Sequence, residues 1–189
     1  MRMLTSNIAF LFSGIYANTS SSRGEAVYYL QGRHWDKNKN WLRNVEPELR
    51  LEDRFSRSYL KPGDLLIVSK GVDFFAVLYD GKYGPAIASS VFTVLRIKDT
   101  GTVLPAYLQW WLNHPNTAKK LTAASKGTST PLITRDIIEK LEVQVPTMEK
   151  QTAILRLEQL HRSAASIRSR INQLNETIFY SNLLQIANQ

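Results

Sequence analysis

Apolar positions follow two rhythms along this chain. Up to about residue 148 they come in short runs broken by turns, and from there they settle into one unbroken helical repeat. Val27-Tyr28-Tyr29-Leu30 predicts a short strand, and Leu65-Leu66-Ile67-Val68, after a Lys61-Pro62-Gly63-Asp64 turn, predicts a buried one. Phe74 to Tyr79 forms another apolar run, closed by Asp80-Gly81, the dipeptide that favours a tight hairpin turn. Val91, Thr93, Leu95 and Ile97 alternate with Phe92, Val94 and Arg96, as a strand with one face on the core would.

Helical signals follow. Pro105 suits a first helical turn, and Leu104, Leu108, Trp111 and Leu112 share one helix face. Pro115 ends that helix, and Asn116 is expected to cap another that runs to a stop at Gly127. Thr134 can cap a short helix through Ile137, Ile138 and Leu141, and Val143 and Val145 then alternate with Glu142 and Gln144 as a brief strand before Pro146. The polar, aperiodic segment from Gln31 to Asn40 is expected to be a surface loop. Near the start, Ile8 to Phe12 is apolar but is broken by Ser13-Gly14, which favours a first helix or strand over a secretory leader. No apolar run approaches the ~20 residues needed to span a bilayer, so a cytoplasmic protein is expected.

The final segment is the most regular. Thr147 can serve as N-cap with Glu149 in the first turn, although Lys150 stands where a capping box would place Glu or Gln. Leu157, Ala164, Ile171 and Ile178 then occupy a positions, and Leu160, Ile167 and Leu174 occupy d positions, with neither Pro nor Gly to interrupt them. At 1.5 Å per residue the helix from Thr147 to about Ile186 would be roughly 55–60 Å long, more than a domain of this size can cover. The pattern predicts an α+β fold: a mixed-sheet domain over 1–148 and a coiled-coil helix over 149–189 that forms a homodimer.

Composition narrows the chemistry. The 189 residues include no cysteine, which removes disulfides, thiolate zinc sites and a cysteine nucleophile, and the three histidines, His34, His114 and His161, are too far apart for an HxxxH pair. No metal or cofactor is therefore expected. The formal charge of +8 and a pI near 9.8 suit a polyanionic partner, and equally suit a well-solvated surface. Arg23, Arg33, Lys37, Lys39, Lys70, Lys82, Lys119, Lys120 and Lys126 lie in or beside predicted loops, among Trp35, Asn38, Asn40, Trp41 and Tyr83. Lys and Arg neutralise phosphates, while Arg, His and Asn read base edges. On loop position and side-chain chemistry, Arg23, Arg33, His34, Lys37, Asn38, Lys39, Lys70, Lys82 and Lys126 are the candidate DNA contacts.

An enzyme alternative rests on Asp64 followed by Asp80-Gly81-Lys82, the spacing of a PD-(D/E)xK nuclease in which carboxylates hold Mg²⁺. Both pieces read better as turns. The sequence contains neither GxxxxGK[ST], GxGxxG nor GxSxG, and no Asn/Asp-Pro-Pro-aromatic methyltransferase tetrapeptide. No catalytic residue is expected.

Taken in order, several segments resemble one half of the specificity subunit of type I restriction-modification systems. Tyr29-Leu30-Gln31-Gly32-Arg33 comes first, followed by Leu60-Lys61-Pro62-Gly63-Asp64-Leu65-Leu66-Ile67-Val68-Ser69-Lys70-Gly71, which is similar to the family's LKPGDILIS..G strand. Pro105-Ala106-Tyr107-Leu108 matches its P.YL helix, and Lys126-Gly127-Thr128-Ser129-Thr130-Pro131 comes next. Val145-Pro146-Thr147-Met148-Glu149-Lys150-Gln151 is close to its PVP...EQ entry into the long helix. The resemblance implies a non-catalytic reader of double-stranded DNA that docks methyltransferase subunits and, through them, a restriction subunit. The usual member carries two target recognition domains and two helices packed antiparallel. This chain holds one of each, as a dimerising half-subunit or a fragment would.

Overall fold

In a computed structural model of the chain, the described residues are 1–17, 26–36, 39, 41, 45–47, 49–50, 57–71, 74–82, 84–125 and 131–188. They form an α+β fold in two units, Met1–Gln151 and Thr152–Gln189. The division falls three residues beyond the boundary expected from the sequence, and Gln151 is fully buried.

The first unit opens with β1 (Arg2–Leu4), a single turn α1 (Thr5–Ile8) and β2 (Ala9–Ser13). Then come β3 (Ala26–Leu30), a 3-10 turn (Gly32–His34), β4 (Leu49–Arg50), β5 (Leu65–Val68), β6 (Ala76–Leu78), β7 (Ala86–Ala88) and β8 (Phe92–Ile97). Helices α2 (Pro105–Asn113), α3 (Pro115–Ala124) and α4 (Arg135–Glu139) lead to β9 (Glu142–Gln144) and the long α5 (Met148–Ala187).

Among the described residues, three sheets result. An antiparallel sheet has the order β2-β8-β5-β6, and a mixed one the order β4-β3-β7 with β3 and β7 parallel. The third is the antiparallel pair β1-β9. Strands β5 and β8 are central, so Leu65, Leu66, Val94 and Leu95 are all fully buried and the strands read as nearly continuous apolar runs. Helix α2 buries Tyr107, Leu108 and Leu112. Its Asn113 covers the open edge of β6 by taking the Ala76 N–H at 2.9 Å and donating to the Ala76 carbonyl at 2.7 Å.

The Pro62-Gly63 turn is built as its residues dictate. Pro62 presets the first central position, Gly63 takes φ +97°, and the Asp64 N–H returns to the Lys61 carbonyl at 2.9 Å. Asp64 then enters the core and receives Arg96 through two bonds, Nε to Oδ1 at 2.8 Å and Nη2 to Oδ2 at 2.6 Å. The Lys61 N–H donates to the same carboxylate at 2.7 Å, and Arg96 also reaches the Tyr59 carbonyl at 2.9 Å. Hydrogen bonding to Asp64 holds the Arg96 guanidinium above its ordinary pKa against the opposing effect of burial.

Four sequence expectations need correction. Asp80-Gly81 does not join a hairpin, since β6 pairs with β5 and β7 with β3. The Asp80 carboxylate takes the Lys82 N–H at 3.1 Å and the Tyr79 hydroxyl donates to the Gly84 carbonyl, which turns the chain into the neighbouring sheet. The cap of α3 is His114, whose Nδ1 accepts the Asn116 N–H at 3.2 Å, and not Asn116 itself. That helix ends at Ala124, short of Gly127, which lies outside the described residues. The segment from Gln31 is not a plain surface loop, because it sends His34 inside and packs Trp35 and Trp41 against the core.

Residues 152–187 complete one continuous 40-residue helix with Met148–Gln151. The a and d side chains stand open to solvent along it, Leu157 at 66% and Ile171 at 50% exposure.

Candidate nucleic-acid interface

The sheets place several predicted DNA contacts around a single turn. The Ser89 N–H bonds the Leu30 carbonyl at 2.8 Å, and the Ser69 N–H bonds the Val91 carbonyl at 2.9 Å. The ends of β3, β5 and β7 and the beginning of β8 therefore meet at residues 88–92. Gly14 lets β2 reach the same place. A β-carbon there would sit 2.0 Å from the Ser89 carbonyl oxygen, so only glycine admits the approach that bonds the Gly14 N–H to Phe92 and the Ile15 N–H to Ala88.

Two segments leave this convergence. One runs from β3 through Gly32–His34 and carries Arg33 and, further on, the exposed Lys39. The other follows β5 and carries the exposed Lys70, which bridges to Leu132 while Ile133 N–H bonds the Ser69 carbonyl at 2.9 Å. His34 differs from these. It is buried, and its Nδ1 accepts the Gln31 N–H at 3.2 Å in a reciprocal capping arrangement, so its ring supports the turn. Lys82 lies at the opposite end of β5 and β6, where Leu78 pairs with Leu65, and there it is joined to Asp80 at 2.9 Å. Arg23, Lys37, Asn38 and Lys126 lie outside the described residues.

A nuclease centre does not form from Asp64, Asp80 and Lys82. Asp64 is 1% exposed and fully engaged by Arg96 and the Lys61 N–H, which leaves no open face for a cation. Burial would raise the pKa of Asp80, but hydrogen bonds from Lys82 outweigh it and hold the carboxyl below its usual range. Among the described residues, no group of three or more His, Asp or Glu side chains is placed to hold a metal ion.

Gln151 is the residue whose role sequence reasoning missed. Its Oε1 accepts the Leu104 N–H at 2.9 Å, and its Nε2 donates to the carbonyls of Thr102 and Pro146, both at 2.9 Å. An amide satisfies a buried donor and two buried acceptors at once, as no charged side chain of that size does. The sequence signal was its place in the Glu149-Lys150-Gln151 segment at the start of the helix, four residues after Thr147.

The family model for the type I restriction modification DNA specificity domain matches residues 30–176 of this sequence. The chain belongs to that family. Three solved structures share its fold. The S subunit of a type I restriction-modification system from M. genitalium is 13% identical with a TM-score of 0.59, over 86% of this chain and 39% of its own. The HsdS subunit from Thermoanaerobacter tengcongensis is 14% identical with a TM-score of 0.60, over 88% and 38%. A chain from a structure describing complex assembly and conformational transition of the type I R-M system is 15% identical with a TM-score of 0.63, over 88% and 39%. This specificity-family chain thus spans about two fifths of the length of the structures it matches. No curated protein matches the sequence. Among its described residues, no helix is long and apolar enough to cross a membrane.

Proposed function

We propose that this chain is a non-catalytic DNA-recognition subunit of a type I restriction-modification system, acting in the cytoplasm, and that one chain reads one half of a bipartite target. The observation that carries this reading is the family match over 30–176, which takes in most of the globular unit and most of the helix. Arg33, Lys39 and Lys70 leave one end of the sheets and are assigned to the DNA, together with Arg23, Lys37, Asn38 and Lys126. His34 acts on the DNA only through the turn it supports, and Lys82 is at most a peripheral phosphate contact.

Dimerisation completes the reading. The seam from Leu157 to Ile178 and the helix from Met148 to Ala187 share a midpoint between residues 167 and 168. An antiparallel pair would bury the whole seam with helix ends flush, and two-fold symmetry would direct the two recognition units to identical half-sites around an unread spacer. Burial contributes on the order of 25 cal/mol per Å² of apolar surface, less the entropy of association. Beyond Ile178 the heptad positions become Ser181 and Gln185, while Phe179, Tyr180, Leu183, Leu184 and Ile186 are exposed off the seam. Those residues leave a surface that pairing does not cover, and the methyltransferase subunit, which brings the restriction subunit with it, is assigned to it.

The test is reconstitution with the methyltransferase subunit, followed by DNA-binding measurements and base-resolution methylation mapping. A symmetric bipartite methylated site and binding that falls with salt at a slope of about −5, for six neutralised phosphates, are expected. An asymmetric site would count against the homodimer, and methyl transfer by this chain alone would overturn the assignment.

A further inference from the structure

Trp35 and Trp41 are fixed to each other and to the core. The two residues pair across an antiparallel bridge, and their rings meet edge to face with centroids 4.9 Å apart. Trp35 then packs on Phe92 at 5.5 Å, which is itself 1% exposed in β8. Trp41 packs on the buried His34 ring at 5.9 Å. Two steps of aromatic contact thus connect the base of this excursion to the central sheet. Aromatic rings suit such a base, since each fixes a large area through only two rotatable bonds.

Within the excursion, the Lys39 N–H closes a turn on the Asp36 carbonyl at 2.9 Å. Lys39 has φ +65°, and it is the only non-glycine residue at positive φ among the described residues. A side chain there crowds its own backbone, which glycine avoids and asparagine tolerates better. A strained backbone held by its surroundings marks a place where side-chain position matters. A phosphate contact needs no such fixity, because a lysine on any exposed turn delivers its charge through a flexible stem. A base-edge contact does, since it requires hydrogen-bond distance and direction.

We infer that Lys39 is a specificity-determining residue that contacts a base edge, and that the Trp35–Trp41 pair is the positioning element that holds it there. The inference rests on the DNA-reading function proposed above and assigns part of the discrimination to one side chain.

The experiment uses the full chain reconstituted with its methyltransferase subunit. Affinity for the mapped target and for a scrambled duplex is measured across a salt series for the wild type, Lys39→Gly, Trp41→Ala and Trp41→Phe, alongside thermal unfolding. Lys39→Gly keeps the turn, because glycine accepts φ +65°. It should lower the ratio of target to scrambled affinity about 5- to 100-fold, because target binding falls far more than scrambled binding, and relax the methylated sequence at one base pair of the half-site. Trp41→Ala should lose discrimination as well although it removes no charge, and Trp41→Phe should restore most of it. If Lys39→Gly weakens both duplexes equally and reduces the slope by about 1, the residue is a phosphate contact and the inference fails. It fails equally if neither affinity changes, or if Trp41→Phe behaves like Trp41→Ala. Should Trp41→Ala prove unfolded, Lys39→Gly and Trp41→Phe still decide. A wild-type complex that does not discriminate would instead sink the DNA-reading function itself.

Discussion

The globular unit and the long helix spend their apolar residues in opposite ways. In Met1–Gln151 the large side chains of β5, β8 and α2 are buried against one another, and the unit is closed by contacts within the same chain. In Thr152–Gln189 no described side chain is buried, and Leu160, Ile167, Ile171 and Leu174 are all exposed. An amphipathic stripe without a cover is an interaction surface waiting for one. The first unit buries its own apolar side chains, whereas the second leaves an apolar stripe exposed, which under the function proposed above is the assembly surface. Substitutions in the two regions should therefore change different observables.

The largest effect is expected from the helix, and on assembly alone. Ile171→Asp would put a carboxylate into the paired seam, and the mass from light scattering should fall to that of one chain while the first unit's circular dichroism is preserved. A wild type already monomeric at high micromolar concentration would break the comparison at its root. Next in size is Asp64→Ala, which leaves the Arg96 guanidinium without the carboxylate that takes two of its hydrogen bonds and should cost about 3–5 kcal/mol in urea unfolding. A loss below about 1 kcal/mol would mean that water replaces the carboxylate. Gln151→Ala orphans the Leu104 N–H and two carbonyls, and about 1–3 kcal/mol should disappear from the stability of the first unit. Arg162→Ala removes only an exposed pair with Glu158 one helical turn away. Its effect should stay under about 0.5 kcal/mol, and a larger one would show that this flank is covered in the assembled protein.

The sequence was most legible where order is local. The heptads of α5, the apolar run of β5, the alternation in β8 and the Pro105 start of α2 are each specified by neighbours a few residues away, and all four elements form. What escaped was long-range. Nothing around Arg2–Leu4 announces pairing with Glu142–Gln144, and nothing around Tyr28 announces a parallel partner at Ala86. Polar neighbours also misled: Gln31, Arg33 and Asp36 made the segment look solvated, while His34 and the two tryptophans turned inward. Asp64 read rightly as part of a turn, but its ion pair was invisible, because a charge in sequence does not reveal its partner and Arg96 is 32 residues away. For the candidate interface, residue chemistry suggested candidates, but only the meeting of strand ends at residues 88–92 groups the segments that start with Arg33 and Lys70 and sets Lys82 apart.

The pairing of β1 with β9 has a consequence in time. Met1 to Thr5 take their partners from residues 141–145, through the Met1 amino group, the Val145 N–H and the Thr5 hydroxyl. The thermodynamic penalty for such separation grows slowly, about 0.6 kcal/mol for each doubling of the loop. Synthesis is less forgiving: at roughly 5–20 residues per second, about 7–28 s elapse between making the first of these strands and the last. Through much of that interval Phe10, Leu11 and Phe12 of β2 also wait for β8. An apolar strand is therefore left without its native partner until more than half of the unit has been made.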